Sequence, residues 1–439
     1  MNTLSCALQG AEGRGRVHGR WGGLLASRNL RLLLLHRILR GSLRLAVLAL
    51  LSGCGRVPDF DRSEKEFRWP EKILTLEEKR REGAEKLSRV VGLLKRERLT
   101  ALLIITDANF AWISSGSESA VPLLVRDDGR RYLFTTAAEG ARLLDEDLNG
   151  MGFELRETPW YGGKVDPSGP DAPWRDLAGG AIGADIAAPG CRLMDKEIAD
   201  LRNPLTAGEI REYRWLGQRC AEAVESVCRK LQPGMTERGI EALLTEALLH
   251  HSISPVSILV TTDSRIGRYG VSPAAEDRKL ETTALVRVCG RRWGLHVALS
   301  RITCLGPVPD ELRKAATAAA RVNAGFWART VPGAGEGSIV EGAYSDYAGV
   351  GLPDEWRRFG QGGAIGYQSL DWAILRGSGR TIRAEQAFAW SPAVQGVRVE
   401  DTILLTAETM EIVTRTPDWP VIESGALGRI YRSAGILAR

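Results

Sequence analysis

The chain has 439 residues, 44% hydrophobic and 26% charged, a globular composition that excludes disordered, collagenous and coiled-coil proteins and allows two or three domains around a large core. The formal net charge of +5 is uneven, because residues 1–53 carry eight Arg, no Lys and one acid, Glu12. From Cys54 onward acids slightly outnumber bases, which removes the electrostatic case for a nucleic-acid partner.

No apolar run approaches the ~18 residues of a membrane-spanning helix. Leu45-Ala46-Val47-Leu48-Ala49-Leu50-Leu51 follows Arg37, Arg40 and Arg44 and leads into Ser52-Gly53-Cys54. A basic region, a short apolar region and small residues, in that order, describe a secretory signal. The Leu51–Cys54 ending resembles a bacterial lipobox, in which the Cys is lipidated and becomes the new N-terminus. On this reading residues 1–53 are a leader and signal peptide, Cys54 is the lipidation site, and residues 54–72, with Pro58 and Pro70, are a tether. The protein is then expected on a bacterial cell envelope, lipid-anchored and facing the periplasm, with the membrane as a partner. The alternative is a chance Leu-rich stretch. The segment before Asn29 fits no signal peptide, so translation is expected to start further downstream at a non-Met codon. None of the seven cysteines forms a C-x-x-C pair, and the five after Cys54 are read as small core residues rather than a disulfide framework or metal site.

Thr75-Leu76-Glu77-Glu78 is a capping box that opens a helix to about Glu97. A strand from Leu99 to Thr106, the segment Asn109–Gly116 leading to strands at 121–126 and 131–136 joined by Asp127-Asp128-Gly129, and a helix from about Ala137 to Leu148 make residues 73–200 a small α/β domain. A second capping box, Thr206 with Glu209, starts a helix that places Ile210, Tyr213, Gly217, Cys220, Val224, Val227 and Leu231 on one face. Pro233-Gly234 breaks it, and another helix runs from Glu237 to His250. A helix from Leu312 to Thr330, a break at Pro332-Gly333 and a helix from Gly337 repeat the phrase, which suggests two related halves or two ordinary helix pairs. Strands are expected at Ala284–Gly290 and His296–Leu305 around Arg291–Gly294, and at Ala364–Tyr367, Gln386–Pro392 and Val397–Thr406. Residues 204–415 thus form an α+β domain with helices on a curved sheet, and 416–439 are left as a C-terminal tail.

Three segments carry a resemblance: Asn203–Ile210, Leu231-Gln232-Pro233-Gly234-Met235-Thr236-Glu237 and Val397-Arg398-Val399-Glu400-Asp401-Thr402. They are similar to the pita-bread fold family of creatinase, prolidase, aminopeptidase P and methionine aminopeptidase. The resemblance covers about residues 75–415 and implies a C-terminal pita-bread domain after a smaller creatinase N-terminal-like α/β domain. It also implies a homodimer. The peptidase members hold two divalent metals through Asp, Asp, His, Glu and Glu, because a bridging water becomes a nucleophile near neutral pH only when cations depress its pKa.

Carried across by motif, those ligands fall on Arg287, Ala298, Gly363, Ser391 and Glu400, so only Glu400 keeps the family's donor. Two further family histidines fall on Val271 and Leu370. The resemblance therefore implies a metal-site member with four of five ligands replaced, and no cofactor. Arg287 sets a fixed positive charge where a cation would sit; a unit charge ~4 Å from a divalent ion is repelled by about 8 kcal/mol at an effective dielectric of 20. Arg287 either pairs with Glu400 or points outward from an edge. By the same mapping His296, Ser300, Arg301, Gln361, Gly362, Gln368, Asp371, Trp390 and Ser391 fall on site-facing positions, with His296 and Glu400 the catalytic candidates. Three functions follow: an inactive or altered envelope lipoprotein that binds a peptide or small amide, a metal-independent C–N hydrolase of creatinase-like type, and a metallo-aminopeptidase. The histidine missing at Val271 weighs against the second, and ligand count against the third.

Overall fold

The computed structural model describes residues 73–162, 172–269, 273–377 and 379–439. The expected leader, Cys54, the tether and Val271 lie outside the described residues.

Helix α1 (Leu76–Glu97) opens on the expected capping box: the Glu78 N–H donates to the Thr75 hydroxyl and the Thr75 N–H donates to the Glu78 carboxylate. It is followed by β1 (Ala101–Ile104), α2 (Asp107–Ile113), β2 (Leu123–Arg126), β3 (Arg131–Thr135), α3 (Ala137–Arg142), β4 (Phe153–Glu157), α4 (Arg175–Ala178), β5 (Ile182–Ala184), β6 (Cys191–Leu193) and α5 (Asp195–Arg202). The strands form one mixed sheet in the order β4-β3-β2-β1-β5-β6. Two stretches go beyond the expectation. The Asn109 segment is helical because its Phe110, Trp112 and Ile113 are buried together in the core. The helix from Ala137 widens into a π-turn over Leu143–Asp147.

The second part begins with α6 (Ala207–Cys228), capped by Thr206 and Glu209 as expected. Its buried stripe includes Tyr213, Gly217, Cys220, Val224 and Val227. Gly217 is required there, since a Cβ would lie 2.5 Å from the Val413 carbonyl oxygen. Then come α7 (Glu237–Leu249), β7 (Ser254–Thr262), α8 (Ser264–Tyr269), β8 (Thr283–Arg292), β9 (Leu295–Cys304), α9 (Asp310–Arg329) and α10 (Glu336–Gly349). The chain closes with β10 (Gly362–Ile365), β11 (Trp372–Ala373), β12 (Gln386–Trp390), β13 (Ala393–Val394), β14 (Val397–Arg398), β15 (Asp401–Leu405), β16 (Met410–Ile412), β17 (Val421–Ala426), β18 (Arg429–Ala434) and β19 (Ile436–Ala438).

The two halves repeat in detail. In each Pro-Gly break the glycine, Gly234 or Gly333, takes φ +88° and donates its N–H to a returning segment, at Leu280 O and Ile382 O. The Glu237 and Glu336 N–H groups donate next, to Arg278 O and Arg380 O, and both glutamates are fully buried. This shared stitching favours related halves over chance helix pairs. The sheets β19-β9-β8-β7 and β11-β10-β12-β15-β16 join where the Ser300 N–H donates to Glu400 O and the Thr402 hydroxyl bridges the Ala298 N–H and C=O. With the helix pairs packed on this curved sheet, the second part is the expected pita-bread domain.

Residues 416–439 are not a tail. β17 and β18 form a hairpin over α9, and β19 runs parallel to β9, Ile436 opposite Ile302. The segment alternates too weakly for its pairing to be read from the sequence, and its exposed Leu427 and Ile430 blur it further.

Candidate functional site

The site is set by the register of one hairpin. Trp293 and Gly294 both take positive φ, 52° and 77°, the backbone of a two-residue turn that follows the twist of the strands. Arg287 therefore faces Ser300 and Cys289 faces Ala298. Side chains alternate along a strand, so Val286, Val288 and Leu299 enter the core under α6 and α7, while Arg287, Ala298 and Ser300 share the other face. The positions matched to the two family aspartates, Arg287 and Ala298, are thus diagonal neighbours rather than directly opposed.

Arg287 points inward and pairs with Glu400. Its Nε donates to Glu400 Oε2 at 2.5 Å and its Nη2 to Oε1 at 2.9 Å. Glu400 is 1% exposed and Arg287 25%. The Glu400 charge, outweighing burial, holds the Arg287 pKa above the usual arginine value. The Glu400 N–H donates to the Ser300 hydroxyl, which donates to Arg398 O.

Arg398 was not among the expected site residues. It lies two residues before Glu400 in the stretch expected as one strand, where alternation puts both on one face, and that spacing was the available signal. It is buried, and its Nη1 donates to the Ser391 hydroxyl at 2.8 Å. Its Nε and Nη2 are buried without a hydrogen-bond partner. Burial lowers its pKa, with Glu400 opposing the shift and Arg287 adding to it. The site thus contains two guanidinium groups, one carboxylate and the hydroxyls of Ser300 and Ser391.

Several expected site residues lie elsewhere or are fully engaged. Arg301, one residue beyond Ser300, projects to the opposite face; it donates to Glu225, Asp401, Ser300 O and Thr414 O at 2.6–2.9 Å. With four of its five N–H donors in use, it is a buried anchor under α6. Trp390 stacks on Phe326 at 4.5 Å and donates to the Thr330 hydroxyl, so it belongs to the core. Gln361 accepts from the Tyr347 hydroxyl and donates to Trp356 O and Phe359 O, which uses its amide to tie a loop. Gly362, at φ +92°, is a sheet-packing glycine: a Cβ would meet Ala389 O at 2.0 Å. Asp371 pairs with Arg202 of α5, and Gln368 is exposed.

His296 is also a correction. It is buried against the Gly366 carbonyl, to which its Nδ1 lies at 3.1 Å, and burial lowers its pKa to about 4. It stands four residues from Ser300, about 13 Å along a strand, and so is not placed to act as a base beside Glu400.

These residues do not fit the family's pair of metals. Glu400 gives both oxygens to a guanidinium, Ala298 and Gly363 offer no side-chain donor, and the Ser391 hydroxyl accepts from Arg398. A Cβ at Gly363 would lie 2.4 Å from Trp372 O, so the space of the family's histidine is filled by β11. Among the described residues no three His, Cys, Asp or Glu side chains gather as a metal site.

A second buried cluster joins the two parts of the fold. Lys86 of α1 contacts Glu82 at 2.7 Å and Glu209 of α6 at 2.8 Å, and Tyr367 donates to Glu209 at 2.6 Å. Burial works against the Lys86 charge, but Glu209 and Glu82 outweigh it and hold its pKa above the lysine range. Nearby Glu212 is pushed up to about 8, first by burial and then by Glu82.

An α/β domain followed by a duplicated pita-bread sheet defines a class of structures, and comparison with known proteins agrees. Residues 211–407, within the second part of the fold, match the model of metallopeptidase family M24. Dipeptidase PepE from Mycobacterium ulcerans superposes with a TM-score of 0.64 at 20% identity, over 77% of this chain and 97% of that one. Prolidase from Pyrococcus horikoshii has a TM-score of 0.64 at 16% identity, over 76% and 98%. X-Pro aminopeptidase from Thermotoga maritima has a TM-score of 0.64 at 19% identity, over 75% and 98%. The N-terminal domain of FACT complex subunit SPT16 from chickpea has a TM-score of 0.55 at 12% identity, over 76% and 96%. At these identities the likeness is one of fold. No curated protein matches the sequence.

Proposed function

We propose that this protein is a metal-free relative of the prolidases and X-Pro aminopeptidases that binds a peptide or small amide in its cleft without hydrolysing it. The observation that carries this is the two-bonded Arg287–Glu400 pair. Two-metal hydrolysis needs several anionic oxygens around two cations; here the one retained acid is neutralised by a fixed side-chain charge, and four of the five ligand positions have no carboxylate or imidazole. The protein is carried on a bacterial envelope through lipid on Cys54, facing the periplasm, and works as a homodimer. No observation favours metal-independent C–N hydrolysis, since His296 is remote from Glu400.

The test is elemental analysis of the purified protein together with turnover assays on Xaa-Pro peptides and guanidino compounds, with and without added manganese. The expected result is substoichiometric metal and no turnover. Near-stoichiometric zinc, manganese or cobalt, or turnover that Glu400→Gln abolishes, overturns the proposal. Mass spectrometry of the mature N-terminus checks the anchor: a diacylglyceryl Cys54 is expected, and a mature chain retaining residues from 2–50 refutes it.

A further inference from the structure

We infer that the groove between the β15–β16 hairpin and the β17–β18 hairpin binds an extended, acidic segment of another protein, which enters as an added strand. The groove shares no residue with the Arg287–Glu400 pair, so the inference stands apart from the metal-free reading.

The space exists because the last hairpin packs on α9 and leaves a gap beside β16. The gap measures about 880 Å³. A strand residue occupies roughly 160 Å³, from a strand spacing of ~4.8 Å, a layer of ~10 Å and a rise of ~3.4 Å, so there is room for about five residues of extended chain. Trp327 of α9 and Tyr431 of β18, tilted against each other at 6.3 Å, line it together with Met410 and Ile412.

Two strand edges border this space. Among the described residues β16 pairs only with β15, and β18 only with β17. On β16 the ladder decides which backbone groups are open. The Thr406 N–H donates to Thr409 O and the Val413 N–H to Thr402 O. Bonded and non-bonded pairs alternate in an antiparallel ladder, so Glu411 bonds back to β15 while Met410 and Ile412 turn their N–H and C=O groups outward. On β18 the two-residue turn Leu427-Gly428 makes Ala426 and Arg429 the first bonded pair, and the same alternation turns the backbone of Ile430 and Arg432 outward. All four outward residues line the groove. Ile430 is 71% exposed, an apolar side chain beside an open edge, where a pairing strand would cover it.

Charge selects the partner. Glu423 pairs with Arg432, and Glu411 with Arg214. Arg415, Arg429 and Glu408 also line the groove, are exposed, and form no ion pair among the described residues. Two guanidinium groups against one carboxylate favour an acidic strand. Such a strand takes its affinity from backbone bonds and its specificity from alternate side chains: apolar ones on Trp327 and Tyr431, acidic ones towards the arginines. A second copy suits the groove less well. Two β16 edges paired about a twofold axis would set Glu411 opposite its own counterpart, and like charges in that position repel.

The experiment uses the purified full chain and a fluorescein-labelled peptide of about seven residues that alternates valine and glutamate. A version with lysine for glutamate and a version N-methylated at every residue are the controls. Fluorescence anisotropy should show saturable binding of the acidic peptide below millimolar concentration, with both controls at least tenfold weaker. Amide hydrogen exchange of the wild type at Met410 and Ile412 should slow at least tenfold on saturation. Arg415→Glu combined with Arg429→Glu, both on exposed side chains, should weaken the acidic peptide tenfold or more and strengthen the lysine peptide. No saturable binding, equal binding of the three peptides, or binding without protection at Met410 and Ile412 overturns the inference. So does a dimer that protects those amides without peptide and that Ile430→Ser dissociates in sedimentation, since the groove then holds a second copy. The wild-type exchange measurement stands even if a variant fails to fold, and metal content, which tests the reading of the cleft, bears on none of these outcomes.

Discussion

Replacing Arg287 by Met keeps most of the aliphatic stem and removes the charge, which leaves the Glu400 carboxylate 1% exposed with Arg398 as its remaining counter-charge. Two unit charges at ~4 Å attract by about 4 kcal/mol at an effective dielectric of 20. Removing one partner of a buried pair costs about 3–5 kcal/mol. Two features place this pair lower: Arg287 is a quarter exposed, so water already screens it, and Arg398 relieves part of the stranded charge. The expected loss is about 2–3 kcal/mol for Arg287→Met, somewhat less for Glu400→Gln, and a coupling energy of about 1.5–2.5 kcal/mol in the double-mutant cycle. Urea unfolding at pH 7, followed by tryptophan fluorescence, measures all four corners of the cycle. A coupling below about 0.5 kcal/mol, the level at which independent sites add, would refute the claim that the pair neutralises the site.

Two further outcomes are expected. Glu212→Gln should flatten the pH dependence of stability: with a pKa of about 8 in the folded protein against 4.5 for the free group, the folded state binds the extra proton between those values, so wild-type stability falls as pH rises through this window. The loss has an upper bound of about 5 kcal/mol, and thermal melts of both proteins from pH 4 to 9 that remain parallel would contradict it. Gly363→His, alone or with Arg287→Asp, should destabilise the protein by about 2 kcal/mol or more and restore no zinc binding by calorimetry, because the new Cβ would lie 2.4 Å from Trp372 O; a folded variant that takes up zinc would show that β11 yields.

How far the sequence revealed the molecule follows from the range of the interactions. Capping boxes at Thr75 and Thr206 and the Pro-Gly breaks at 233 and 332 were legible because each is completed within a few residues. The Arg287–Glu400 pair was legible because two strands of recognisable type each carry one charge. Arg301 misled because a one-residue step along a strand reverses the face, and only the register fixed by the Trp293-Gly294 turn decides it. Trp390 misled because its partner, Phe326, lies on a helix distant in sequence, and Gln361 because its amide is taken up by Tyr347, Trp356 and Phe359 in a folded loop. Arg398 was missed for the opposite reason: what sets it apart is two hydrogen-bond donors without acceptors, a property visible only once every neighbour is in place. β7 and the strands after Trp419 went unseen because their alternation is weak and their pairing is long-range.

The lysine sealed between the two parts of the fold constrains their inheritance. Glu209 caps α6 and also neutralises Lys86, so the same acid serves an element on one side of the junction and a charge on the other. Recombination that replaced the first part with a counterpart lacking the lysine would leave the Glu209 carboxylate without its counter-charge and out of reach of water, and replacement of the second part would leave Lys86 with Glu82 alone. The two parts are therefore expected to have travelled through descent as a single block, and the junction to have resisted the shuffling by which modules are usually exchanged.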